Sequence, residues 1–292
     1  MKFINKKTSD LTLFIVAFIW GFGFIGTKAS IDAGIPTMFI IASRFLIATV
    51  IYGIIIFKDI IKITKREFII SFFAGIFMFF GFAFQTYGQQ FTSVSNSSFL
   101  TSTNVVIVPF IVFAITGKKI NRRLATLAFC SLIGSAILSL DFSSGISFNK
   151  GDLLTLISAA FFALHISYLG TKAKDIDQKP LLFVQMMTAG TVSLILHLLS
   201  GENISGHSIQ QAALPLIFLG IFPSLICYYM QTAGQKYTPA SKAAIILCLE
   251  GLFGSICAIL FGYDTITLQI VIGGIIITLS AILTEVKPKK SA

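Results

Sequence analysis

Ten runs of about twenty mostly apolar residues follow one another along this chain, and nothing else in it limits the fold so strongly. They cover roughly 11–31, 36–57, 67–89, 94–116, 122–140, 151–171, 179–200, 211–235, 239–261 and 266–285. A helix of that length crosses a hydrocarbon layer about 30 Å thick. Inside lipid every backbone N–H and C=O must find a partner within the protein, so only helices and closed barrels cross it. A barrel strand alternates polar and apolar residues at period two. These runs are continuous, so helices are expected. Only 12% of the chain is charged and 55% is hydrophobic, against roughly 25% charged residues in a soluble domain. The connections are short and leave little chain for a domain outside the bilayer.

The charges say which way the runs point. The formal net charge is +10, but 19 of the 22 lysines and arginines fall in alternate connections. These are Lys2, Lys6 and Lys7; Lys58, Lys62, Lys65 and Arg66; Lys118, Lys119, Arg122 and Arg123; Lys172, Lys174 and Lys179; Lys236 and Lys242; Lys287, Lys289 and Lys290. The intervening connections hold only Lys150. Cationic loops stay on the cytoplasmic side, so both termini are expected there. The high pI follows from this distribution and from contact with anionic lipid, and no nucleic-acid partner is expected. The first run carries no convincing cleavage site and reads as an uncleaved span. Cys130, Cys227, Cys248 and Cys257 lie inside runs with no metal-ligand spacing. They read as small apolar packers, and neither a metal nor a cofactor is expected.

The chain also repeats itself. "QTYGQQFTSVS" (85–95) returns as "QTAGQKYTPAS" (231–241), 146 residues later. "GTKA" at 26–29 returns at 170–173, and Pro36 and Pro180 keep that offset of 144. Two five-helix units are therefore expected, 1–145 and 146–292. Five is odd, so the second unit enters the membrane inverted. That accounts for Gln90 and Asn96 in one copy against Lys236 and Lys242 in the other, the first pair lying outside and the second inside. Inverted halves that exchange conformations expose one central site to either side, the signature of alternating access.

Polar groups inside the runs are the site candidates, because a charge at the bilayer centre costs about 2.5–3.5 kcal/mol on insertion scales. Lys28, near the outer end of the first run, either snorkels to the interface or faces the path. Arg44 is deeper. Its guanidinium either clamps a carboxylate or phosphate of the substrate or braces backbone carbonyls near the outer gate. Glu250 is near the middle of the ninth run, and its repeat mate is Asn104. Glu250 is either a proton-coupling or amine-binding carboxylate or a structural hydrogen bonder. Ser97, Thr101 and Asn104 share one helical face, as do Tyr228, Gln231 and Gln235. Gln85 is the mate of Gln231. Lining is the preferred reading for Gln85, Asn104 and Gln231, with Thr101 on the same stripe. Trp20 and Tyr228 could stack a planar substrate, and His165 is either a proton carrier or a helix-to-helix bonder.

"GFGFIG" (21–26) has the spacing of a dinucleotide fingerprint, but it sits inside an apolar run with Arg44 where an acid is required. Its glycines read instead as close-packing positions. No phosphate loop, metalloprotease motif or nucleophile elbow is present, so no enzyme is expected. The competing classes are a membrane-embedded enzyme or lipid-handling protein, which needs clustered acids or histidines, and an assembly subunit, which needs no polar path.

"WGFGFIGTKA" opening the first unit, Arg44, Leu249–Glu250 in the ninth run, and the junctions "QQFTSVSNSSFL" and "QKYTPASKAAIIL" together resemble the EamA family of the drug/metabolite transporter superfamily. The resemblance spans about 11–285. It implies an all-α integral membrane protein of ten helices around a central cavity. It also implies secondary transport or facilitated movement of a small metabolite, many members being exporters of amino acids or similar solutes. The chain departs from the family where Gly-Glu is usual after the fourth span of each half, reading Gly117–Lys118 and Gly262–Tyr263. The family's Glu-Pro is Glu250–Gly251 here, which removes an expected kink. The reading is an exporter in the cytoplasmic membrane, driven by the substrate or proton gradient, with the site between spans 1, 3, 4, 6, 8 and 9. Oligomeric state is left open.

Overall fold

The computed structural model describes residues 4–139 and 149–285. Lys2, Lys287, Lys289, Lys290 and the boundary expected at 145/146 lie outside the described residues. Among the described residues every element is a helix. Following the apolar runs, they are α1 (Ser9–Asp32), α2 (Thr37–Ile55), α3 (Lys65–Gln89), α4 (Val94–Thr116), α5 (Arg122–Ser139), α6 (Lys150–Gly170), α7 (Gln178–Ser200), α8 (Gly206–Gly234), α9 (Ala240–Leu260) and α10 (Leu268–Glu285). Eight of these, all but α5 and α10, are long and apolar enough over their described residues to cross a membrane.

Helix ends follow local chemistry. Thr64 caps α3 and Asn149 caps α6, each in a reciprocal capping box, with Glu67 and Asp152 respectively. Between α1 and α2, Gly34 takes φ +78°, which a residue with a Cβ adopts only under strain, and Pro36 then starts the next helix. The outer surface is apolar: Phe14, Phe18, Phe110, Phe113, Leu198 and Leu214 are exposed, as lipid contact requires. Arg44, Gln85, Asn104, His165, Gln231 and Glu250, polar side chains inside the runs, are turned inward.

Helix pairing is symmetric under exchange of the halves. α2 packs on α7, α4 on α9 and α5 on α10, each on its counterpart. α3 packs on α6 as α8 packs on α1, and α3 packs on α7 as α8 does on α2. Small residues allow these approaches. A Cβ added at Gly75 of α3 would stand 2.7 Å from Gln185 O and 2.7 Å from Thr188 Cβ of α7. Gly75→Leu is therefore expected to destabilise the protein by at least about 1–3 kcal/mol through overpacking, exceeding the roughly 1 kcal/mol that replacing a helical glycine contributes. The thermal midpoint of the purified protein checks this, and an unchanged or raised midpoint would contradict the packing described.

Three helices are interrupted. α4 breaks at Thr103 into Val94–Ser102 and Asn104–Thr116, and α9 breaks at Cys248 into Ala240–Leu247 and Leu249–Leu260. Gly251 in place of proline is expected to remove a kink from α9, yet the helix breaks three residues earlier without a proline. Gly251 N–H donates to Cys248 O at 3.2 Å, one residue closer than an α-helix requires, and Ser102 Oγ donates to the same oxygen at 3.3 Å. Gly251 lets α4 come this near, since a Cβ there would meet Ser102 Oγ at 2.8 Å. In α8, residues Gly220–Ile226 form a π-helical turn around Pro223. Proline has no N–H to donate and crowds the preceding turn; the wider turn accommodates it.

Candidate functional site

The interruptions in α4, α8 and α9 surround one cavity. Its walls come from α1, α2, α3, α4, α6, α8 and α9. Trp20, Arg44, Gln85, Thr101, Asn104, His165, Tyr228, Gln231 and Glu250 all line it. Lys28 does not. It pairs with Asp32 at 2.6 Å near the C-terminal end of α1.

Arg44 is the buried cation of the cavity, at 3% exposure. Its Nε donates to Ser224 Oγ at 2.9 Å, within the π-helical turn. Its guanidinium lies 4.2 Å from the centre of the Phe82 ring, close enough for a cation–π attraction. Glu250, at 6% exposure, is the buried carboxylate. The two do not pair with each other, and among the described residues neither has an ion partner. A buried charge is costly unless paired or hydrogen-bonded. A guanidinium and a carboxyl group held apart across one cavity offer complementary contacts to a molecule carrying both an anionic and an amine group.

The rest of the wall is aromatic and amide. Tyr228 sits at the centre of a ring cluster, 5.4 Å from Trp20, 5.7 Å from His165 and 6.2 Å from Phe82 between ring centres. Trp20 Nε1 donates to Pro223 O at 2.9 Å, so the π-helical turn fixes the indole. Gln85 Nε2 donates to Thr101 Oγ1 at 3.0 Å, tying α3 to α4. His165 Nε2 is 3.1 Å from Gln185 Oε1, a contact that joins α6 to α7. Gln231 has neither amide atom hydrogen-bonded, and Asn104 Oδ1 is also unpartnered. Unsatisfied buried polar atoms are rare in native proteins, and these belong to two residues of the cavity wall.

Gln235, on the Tyr228 stripe, instead donates to Ile166 O at 3.0 Å and braces α8 on α6. Sequence reasoning missed Gly23, Phe24, Thr27, Phe82, Phe162, Ile166, Pro223 and Leu247 in the wall and Ser224 behind Arg44. Pro223 was the one available signal, a proline in the middle of an apolar run. No group of three or more His, Cys, Asp or Glu side chains that could hold a metal occurs among the described residues.

A bundle of apolar-surfaced helices around a cavity lined by a buried arginine, a buried carboxyl group and unsatisfied amides has the form of a solute transporter. The chain belongs to the EamA-like transporter family, whose model matches residues 7–140 and again 149–286. It is similar to an uncharacterized transporter of Archaeoglobus fulgidus, 28% identical over 289 residues, covering 97% of this chain and 88% of the relative. It is also similar to the uncharacterized transporters YvbV and YoaV of Bacillus subtilis, at 25% and 22% identity, covering 99% and 91% of this chain and 95% and 93% of theirs. A crystal structure of a protein with 14% identity superposes with a TM-score of 0.76 over 96% of this chain and 97% of that one, which shows a shared fold.

Proposed function

We propose that the protein is a secondary transporter that exports a small dipolar metabolite, an amino acid or related solute, across the cytoplasmic membrane by alternating access. In this reading ten helices form two inverted halves, 1–145 and 146–292, with both termini cytoplasmic. The exchange-symmetric helix pairing supports that arrangement. The observation that carries the reading is the cavity between the halves, with Arg44 and Glu250 unpaired in its wall. Arg44 holds the anionic group of the solute, and Glu250 receives its cationic group or a proton. Trp20, Phe82 and Tyr228 cover its apolar part. Gln85, Thr101, Asn104, His165 and Gln231 supply the polar path. Lys28 is left out because its ammonium is already paired.

The test is thermal stability of the purified protein against amino acids and related dipolar solutes. A ligand at a hundredfold excess over its Kd adds about 2.7 kcal/mol to the folded state, so one chemical class should raise the midpoint reproducibly. The same class should then be carried by reconstituted vesicles. No stabilisation by any dipolar solute, together with no flux of any of them, would sink the reading.

A further inference from the structure

The phrase that occurs twice ends in the same kind of bond on both faces of the bundle. Thr92 and Thr238 occupy one position of it, 146 residues apart. Thr92 Oγ1 donates to Asp152 Oδ1 at 2.7 Å. Asp152 lies in the first turn of α6, the helix that opens the second half. Thr238 Oγ1 donates to Asp10 Oδ1 at 2.7 Å, and Asp10 lies in the first turn of α1, the helix that opens the first half. Each half therefore closes its own α3–α4 or α8–α9 connection onto the opening helix of the other half. One closure is at the face that carries the start of α6 and the other at the face that carries the start of α1.

The reinforcement of the two closures differs. Lys242 Nζ is 3.0 Å from Asp10 Oδ2, and Thr238 is also bonded to Ser9 Oγ at 3.0 Å. The matching position on the other face is the neutral Asn96, whose backbone N–H donates to Ser93 Oγ. That face has instead a hydrogen bond from Ser95 Oγ to Asp264, in the connection between α9 and α10. One closure includes an ion pair, and the other relies on hydroxyl-to-carboxylate bonds.

We propose that Thr92–Asp152 and Thr238–Asp10 are the latches of two gates, outer and inner, and that Lys242 makes the inner latch sensitive to salt. The proposal rests on the transport reading and on the orientation given above. Alternating access requires the halves to part at one face while they stay joined at the other. These bonds join the halves at the two faces, and both are made here, with the cavity between them. Loss of one latch lowers the cost of opening its own face only, so the two losses must act in opposite directions.

The experiment uses the full chain with Cys130, Cys227, Cys248 and Cys257 replaced and a single reporter, Thr101→Cys, in the cavity wall. Its reaction with a membrane-impermeant maleimide is timed in right-side-out and inverted vesicles. Thr92→Val should raise the outside-to-inside ratio of labelling rates about three- to tenfold, and Thr238→Val should lower it by a similar factor. Lys242→Gln, or added salt, should act like Thr238→Val by about two- to fivefold. Thr→Ser at either position keeps the hydroxyl and should restore the starting ratio. A reporter that is labelled while neither valine variant moves the ratio, or both move it the same way, overturns the latches and leaves the transporter standing. A reporter unlabelled from both faces in every variant overturns the latches and the transport reading together.

Discussion

Replacing Arg44 with alanine is expected to weaken binding of the transported solute by about ten- to a hundredfold, the size of a lost hydrogen bond to a charged group at 1.5–3 kcal/mol. The expectation comes from what Arg44 lacks. It is buried in the cavity wall with Ser224 on its Nε and Phe82 beneath its plane, and no carboxylate pairs with it among the described residues. Ser224 and Phe82 orient the guanidinium without neutralising it, which leaves it to the anionic group of a ligand. Guanidinium binds a carboxylate through two parallel bonds, whereas ammonium cannot reproduce that fork. Arg44→Lys should therefore recover part of the affinity and not all of it. Ligand titration by thermal shift or calorimetry reads the effect, with the unliganded midpoint of each variant measured alongside. A folded Arg44→Ala protein that binds its ligand with unchanged affinity would show that the residue only braces α2 against α8.

The pattern of what the sequence revealed has a physical basis. Apolar runs locate helices in lipid because no other backbone conformation satisfies its own hydrogen bonds there, so α1 to α4 and α6 to α9 were visible within a few residues at most of their ends. The polar wall was visible for the same reason: Arg44, Asn104, Gln231 and Glu250 would be costly facing lipid, so they had to face inward. Lys28 was a candidate by that rule, yet Asp32 stands four residues later, and an i,i+4 pair on a helix end was readable without a structure. Phe82 and Phe162 could not be singled out, because 30 phenylalanines share the same runs and only packing separates cavity wall from lipid face. The break at Cys248 was equally hidden. It lies where Gly251 leaves room for Ser102 of a different helix, and neither residue by itself signals a helix end. Ser224 behind Arg44 is 180 residues away in the chain, a pairing that only the fold creates.

Glu250→Gln is expected to separate binding from coupling. The carboxyl group is buried beside the break in α9, lines the cavity, and has no ion partner among the described residues. If the halves rock as proposed, a group in that position meets each side of the membrane in turn, taking a proton from one side and releasing it to the other. Glutamine keeps the size and most of the hydrogen bonding and removes only the exchange. Coupling between two ligands is typically worth 1–3 kcal/mol, about 5- to 150-fold, so accumulation of solute driven by an imposed pH gradient should fall by a factor in that range. Downhill exchange of the solute should persist, now indifferent to pH on either side. The repeat supplies a control that does not depend on loss of function. Asn104 is the mate of Glu250, 146 residues back and in the same wall, so Asn104→Asp in the glutamine variant returns one carboxyl to the cavity from the opposite half. If a proton-exchanging carboxyl in the wall is what matters, pH-driven flux should reappear in that double variant. If Glu250→Gln leaves gradient-driven flux intact, the carboxylate serves the solute or the packing of α9, and the coupling role is gone.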